Sequence, residues 1–264
     1  MRALVAGLLF LSLAAPAFAG GRCGDDVGGR AVPCNCGDVL VSSRTLGDDD
    51  PITTRVCPAT GLVIDVPAGQ QATLALGGHN LQGAGRGFGL QVVGGGARVS
   101  VVGPGAVEGF GTGILAAKGG LARVANLTVA QNKGDGISIV GDGYAVSACE
   151  ALRNGRDGFA LRGRNYRAEG NRALENGRDG VAVSGRTATI GGAAGNEASG
   201  NGHDGFRLRG RGHTVDAPSA IANRGHGVAT RPTVGQLTGA TATSNQRGDV
   251  HGAGTAGCDG GPCR

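Results

Sequence analysis

From residue 132 onward the chain repeats one short pattern of polar and apolar positions. Segments opening Asn132-Lys-Gly-Asp-Gly-Ile, Asn154-Gly-Arg-Asp-Gly-Phe, Asn176-Gly-Arg-Asp-Gly-Val, Asn201-Gly-His-Asp-Gly-Phe, Asn223-Arg-Gly-His-Gly-Val and Asn245-Gln-Arg-Gly-Asp-Val follow at steps of 22, 22, 25, 22 and 22 residues. Five residues after each asparagine stands Ile137, Phe159, Val181, Phe206, Val228 or Val250. Two further on come Ile139, Leu161, Val183, Leu208 and Thr230. Apolar residues at alternate positions mark a strand with one buried face. Leu152, Leu174, Ile221 and Thr243, two residues before the asparagines, are expected to form a second inward column.

No coil holds an apolar pattern long enough for a helix, so three short strands joined by glycine-bearing turns account for each repeat. A single coil cannot bury its apolar face; stacking coils about 4.8 Å apart buries it and pairs the backbone. The pattern therefore predicts an all-β chain, a single-stranded parallel β-helix of about 22-residue coils. Asn132, Asn154, Asn176, Asn201, Asn223 and Asn245 would line up along one turn and bond through their amides as a structural ladder. The glycine that follows each turn, Gly136 through Gly227, is expected to supply a positive φ.

Fainter coils precede these, at Leu74–Gly83, Ala97–Val102 and Leu121–Val129, which places the helix at 58–252. Open strand edges invite pairing with other chains, so 20–57 and 253–264 are expected to cap the two ends. Residues 1–19 read as a secretory signal, with Arg2 before the apolar run Leu4–Leu13 and an Ala17-Phe18-Ala19 cleavage site. No later run is long enough to span a membrane. A secreted or periplasmic protein is expected.

The coil Leu76-Gly-Gly-His-Asn-Leu-Gln-Gly and the recurring N-x-x-D-G turns resemble the right-handed parallel β-helix proteins of the pectin-lyase-like superfamily. The resemblance spans most of the chain and implies a right-handed helix. It does not fix an activity, because that superfamily includes lyases, hydrolases, epimerases, adhesins and metal-insertion proteins. Its polygalacturonases carry Asn-Thr-Asp, Asp-Asp and Gly-His-Gly on successive coils. Here Arg178-Asp179, His203-Asp204 and Gly225-His226-Gly227 hold comparable places. The resemblance thus implies Asp179, Asp204 and His226 as catalytic candidates. His203 stands where the proton-donating aspartate is expected, and no Arg-x-Lys follows.

Composition sharpens this picture. Glycine supplies 55 of 264 residues without the every-third spacing of collagen. There is no Trp, and Tyr144 and Tyr166, one repeat apart, are expected to pack on each other rather than on a sugar. Cys23, Cys34, Cys36 and Cys57 precede the repeats and Cys258 and Cys263 follow them, a distribution suited to disulfides at both ends. Cys258–Cys263 is the simplest pairing, and Cys149, alone inside the repeats, reads as a buried free thiol. The cysteines lack paired C-x-x-C spacing and the five histidines are scattered, so no metal site is read.

The formal charge is +5, and between 150 and 250 fourteen arginines face nine acids, so the basic excess lies on the coils. Arg156 and Arg178 stack beside the aspartates, and Arg162, Arg209 and Arg231 share a register; these five are the candidate ligand-binding residues. Stacked guanidiniums suit carboxylates. Asp135, Asp157, Asp179, Asp204 and His226 form a turn column that would cap backbone amides, with paired-carboxylate chemistry or calcium as its other uses. No nucleic-acid motif is present. The sequence therefore points to an exported binding or structural module offering a mildly basic surface to acidic polysaccharide or an envelope component. Its alternative is a polysaccharide lyase or glycoside hydrolase acting on uronate-containing glycans.

Overall fold

The strands of successive coils pair in parallel, residue for residue, along three faces of one solenoid. The structure, a computed structural model, describes residues 20–117, 119–232, 235–252, 256–258 and 261–262. The signal-like residues 1–19 and Cys263, hence the Cys258–Cys263 pairing, lie outside the described residues.

Sheet I runs through Phe88–Val92, Thr112–Ala116, Ile137–Val140, Phe159–Arg164, Val181–Arg186, Phe206–Arg211, Val228–Pro232 and Val250–His251. Its register follows the apolar column of the repeat, Ile137 on Phe159, Val181, Phe206, Val228 and Val250. Sheet II takes strands such as Ala145–Ser147, Arg167–Glu169 and Thr214–Asp216, and sheet III strands such as Glu150–Leu152, Arg172–Leu174 and Ser219–Ile221. The two merge in Gln236–Thr243. The core is a column of stacked side chains inside this tube, with Phe110, Phe159, Phe206, Tyr144 and Tyr166 among its largest members. Tyr144 and Tyr166 stack face to face, centroids 4.8 Å apart, and are buried.

Parallel pairing starts before residue 58. Arg22–Cys23 and Val39–Leu40 begin sheet I, Arg44–Thr45 begins sheet II, and Val56–Cys57 begins sheet III. Disulfides Cys23–Cys34 and Cys36–Cys57 cross-link this segment, and Cys149 is free and buried. Burial pushes the Cys149 thiol up to about 11, which keeps it protonated and inert. Ala256–Cys258 pairs with Gln236–Thr243 and turns back antiparallel as Gly261–Pro262.

Two expectations are corrected. The inward column of sheet III is Val129, Ala151, Ala173, Ala198 and Ala220, one residue before the leucines. Leu152 and Leu174 are half-buried on the outer face and Ile221 is exposed. Bulk is excluded inside because the glycines of the preceding turn come so close. A Cβ on Gly158 would lie 3.2 Å from Ala173 Cβ, and one on Gly205 3.1 Å from Ala220 Cβ. The same crowding explains those glycines. They do not have positive φ; a side chain on Gly158 would meet Asn176 Nδ2 and the Gly180 carbonyl at 2.7 Å.

The longer step between Asn176 and Asn201 is absorbed at the corner after Thr189–Ile190, between sheets II and III. The opposite corner, where sheet III turns into sheet I, keeps its stacking unbroken.

Candidate functional site

That corner is built from the residue before each asparagine. Gln131, Arg153, Glu175, Ala222 and Ser244 adopt φ of 54°, 52°, 54°, 55° and 59°, a left-handed bend unusual for non-glycine residues. The asparagine ladder holds the bend. Each side-chain Nδ2 donates to Oδ1 of the next asparagine at 2.9–3.1 Å, from Asn132 through Asn154, Asn176, Asn201 and Asn223 to Asn245. The same Oδ1 also accepts the backbone N–H of the asparagine before it, and the second Nδ2 proton goes to a sheet III carbonyl, as from Asn176 to Ala151. At its foot Asn245 Nδ2 donates to Asp249 Oδ1 at 3.0 Å. A shorter ladder occupies another corner, where Asn171 Nδ2 donates to Asn196 Oδ1 at 3.0 Å.

Three residues on, the aspartates stack too, but an aspartate can only accept. Oδ1 of Asp135, Asp157, Asp179 and Asp204 takes the backbone N–H of Asp157, Asp179, Asp204 and His226 at 3.2, 3.2, 3.2 and 2.9 Å. One oxygen of each candidate carboxylate is thus committed to the next turn, and Asp179 is fully buried. Burial, reinforced by the carboxylates of Asp179 and Asp135, holds the Asp157 carboxyl above the usual carboxylate range.

Basic groups flank this column. Arg156 lies 3.7 Å from Asp135 and Arg178 3.8 Å from Asp157. In the same register on the next coil, His203 Nδ1 is 2.7 Å from Asp179 Oδ1 and 3.5 Å from Asp204 Oδ2. Arg207 Nη2 reaches Asp179 Oδ2 at 2.7 Å and Asp157 Oδ2 at 3.7 Å. The nearer contact is an ion pair off the hydrogen-bond direction, since Asp179 Oδ2 has no hydrogen-bond partner. His226 Nδ1 lies 3.4 Å from Asp204 Oδ1, and the His226 ring stacks on His251 with centroids 4.6 Å apart.

Below the acid column a pocket of about 170 Å³ opens on sheet I, lined by His203, Asp204, Arg207, Arg209, His226, Ala229, Arg231, Arg247 and His251 among others. A second depression beside it joins Arg162 to Arg207 and Arg209 across Ser184. Among the described residues no acid lies within ion-pair distance of Arg162, Arg209, Arg231 or Arg247. The structure therefore brings Arg162, Arg209, Arg231, Asp204 and His226 together, and places Arg156 and Arg178 higher up, against their aspartates.

Sequence reasoning missed Arg207, Arg247 and His251. Arg207 had a signal: its register position is Ser138, Ala160 and Ala182 on the three coils before it and Ala229 on the next, so a lone guanidinium rises among small side chains.

Residues 106–246, more than half of the chain, match the family described as "Right handed beta helix region". No curated protein matches the chain by sequence. Among solved structures, the Agl-KA catalytic domain is similar at 12% identity and a TM-score of 0.47, covering 81% of this chain and 44% of that one. The Dettilon tailspike protein (gp208) is similar at 13% identity and a TM-score of 0.42, covering 82% of this chain and 61% of that one. The chain thus spans less than two thirds of either. Among the described residues no helix is long and apolar enough to cross a membrane.

Proposed function

The chain belongs to the right-handed β-helix family, and from that premise we propose that it is an exported binding module whose sheet I face holds the anionic groups of an acidic polysaccharide. One observation carries the reading: Arg209, Arg231 and Arg247, exposed and free of acids among the described residues, converge with Arg207 and three histidines on one pocket. The one acid lining it, Asp204, is buried and caps the His226 amide. Guanidiniums in a row accept carboxylates or sulfates two oxygens at a time. Neutral sugars would want an aromatic platform, and the two tyrosines are buried in the core. Two disulfides and the signal-like residues 1–19 support export.

The test is retention of the mature protein on immobilised pectate, alginate and hyaluronan as salt is raised. The Arg209→Ala, Arg231→Ala protein is expected to bind roughly 10-fold or more weakly, a charge-assisted contact being worth about 1.5–3 kcal/mol. Equal retention of both proteins, or none at low salt, would sink the reading.

A second reading, lyase or hydrolase action on uronate-containing glycans, is favoured by the buried Asp179 carboxylate on His203 Nδ1, which orients the imidazole as aspartate does in acyl-transfer enzymes. The same incubations, followed for new reducing ends and unsaturated-uronate absorbance, decide it. Product formed by the wild type and absent with His203→Ala makes the protein an enzyme.

A further inference from the structure

One step of the acid column differs from the others. At the two preceding steps, the basic residue beside the aspartate is an arginine; at the third it is His203, whose ring nitrogen can ligate a metal as a guanidinium cannot. There Asp179, His203 and Asp204 each place one ligand atom within 4.8 Å of the others. The three come from two consecutive coils, and backbone stacking holds both.

The carboxylate oxygens around His203 point the same way. Asp204 gives Oδ1 to the His226 amide, which leaves Oδ2 facing His203 Nδ1 at 3.5 Å. That is long for a hydrogen bond, but two ligands on one tetrahedral ion with bonds near 2.0–2.1 Å sit about 3.3 Å apart. Asp179 gives Oδ1 to His203, while its Oδ2, inside a fully buried side chain, has no hydrogen bond. That oxygen faces Arg207 Nη2 at 2.7 Å, so the one offered to an ion is Oδ1. Arg207 approaches Asp179 from the Oδ2 side and His203 from the Oδ1 side, so guanidinium and ion do not contend for one oxygen.

We propose that Asp179, His203 and Asp204 form a divalent transition-metal site, with three protein ligands and its remaining positions turned toward the sheet I pocket. One imidazole nitrogen with two carboxylates suits Zn²⁺ or Mn²⁺; calcium wants six to eight oxygens, which this step does not offer. The ion takes the place of the Nδ1 proton that lies between His203 and Asp179, and the neutral imidazole then carries its proton on Nε2. It also offsets the stacked charges of Asp157 and Asp179, which face Arg207 as their nearest cation. The site goes beyond glycan binding and does not depend on it.

The experiment is calorimetric titration of chelator-stripped mature protein with Zn²⁺, Mn²⁺ and Ca²⁺ at pH 7.5, in two buffers of different ionisation enthalpy. Expected are one Zn²⁺ site per chain of about micromolar Kd or tighter, and Ca²⁺ binding weaker by roughly 100-fold or more. His203→Ala is expected to weaken Zn²⁺ by about 100-fold and Asp204→Asn by about 10-fold or more. A cooperative thermal transition of metal-free His203→Ala well above the titration temperature separates loss of the site from loss of the fold. No saturable Zn²⁺ binding overturns the proposal. So does binding that survives His203→Ala but is lost in His226→Ala, His251→Ala, which would put the ion on the stacked pair.

Discussion

Asp50 and Asp179 are both completely buried, one in the cross-linked first coils and one in the middle of the acid column. Asp50 is closed. Arg44 grips both its oxygens at 2.9–3.1 Å, and the amides of Cys34 and Gly47 donate to them at 2.6 and 2.9 Å. Arg44 also holds Asp49 and Asp25, so three acids of this segment gather on one buried guanidinium. Asp179 has one amide and one imidazole on Oδ1, and on Oδ2 a misaligned arginine that makes no hydrogen bond. Equal burial thus hides opposite roles. A carboxylate whose every lone pair is taken is architecture, whereas one held incompletely, beside a pocket, has capacity left for a ligand.

The comparison can be broken from either side. The largest effect is expected at Asp50→Ala, which strands Arg44 in the interior; losing one partner of a buried pair costs about 3–5 kcal/mol, readable in urea unfolding. Next is Asn176→Ala in the neutral ladder, which takes the shared acceptor from the Asn154 backbone and side-chain N–H groups and a donor from the Ala151 carbonyl, at about 2–4 kcal/mol. Arg207→Ala should cost less, about 1–2 kcal/mol, because its pair is misaligned and partly wet. Adding Asp179→Asn should recover most of that loss; if the double variant is no better, Arg207 acts through packing and not charge.

The smallest effect has the opposite sign. Asp157 has its folded pKa raised above the ordinary 3.8, so the folded state binds the proton more tightly than the unfolded chain. Its contribution to stability is full below pH 3.8 and is lost as pH rises through the folded pKa. Asp157→Asn, which keeps the acceptor for the Asp179 amide, should therefore raise the thermal midpoint at pH 7 and not at pH 3. A lower midpoint at pH 7 would mean that Arg178 and Arg207 already compensate the charge.

How much of this could be read from the chain depends on what each residue bonds to. The asparagine column was legible because Asn both gives and accepts, so a repeat of one residue type at one spacing is already a complete bonding scheme. The aspartate column was visible, but its partner is a backbone amide one coil away, which has no letter in the sequence. The alanine column went unread since leucines one residue later looked like better core. Only the close approach of Gly158 and Gly205 shows why bulk is shut out there. His203 was noticed as a departure from a hydrolase pattern; that Asp179 Oδ1 and Asp204 Oδ2 both face it needed coordinates.

The disulfides have a mechanical consequence. In a solenoid each coil rests on its neighbours alone, so a chain pulled by its ends pays out coil by coil. Cys23–Cys34 and Cys36–Cys57 withhold 11 and 21 residues from that thread. At about 3.5 Å per extended residue, the oxidised protein should reach full extension roughly 110 Å short of the reduced one. The first coils would be the part that tension cannot draw out.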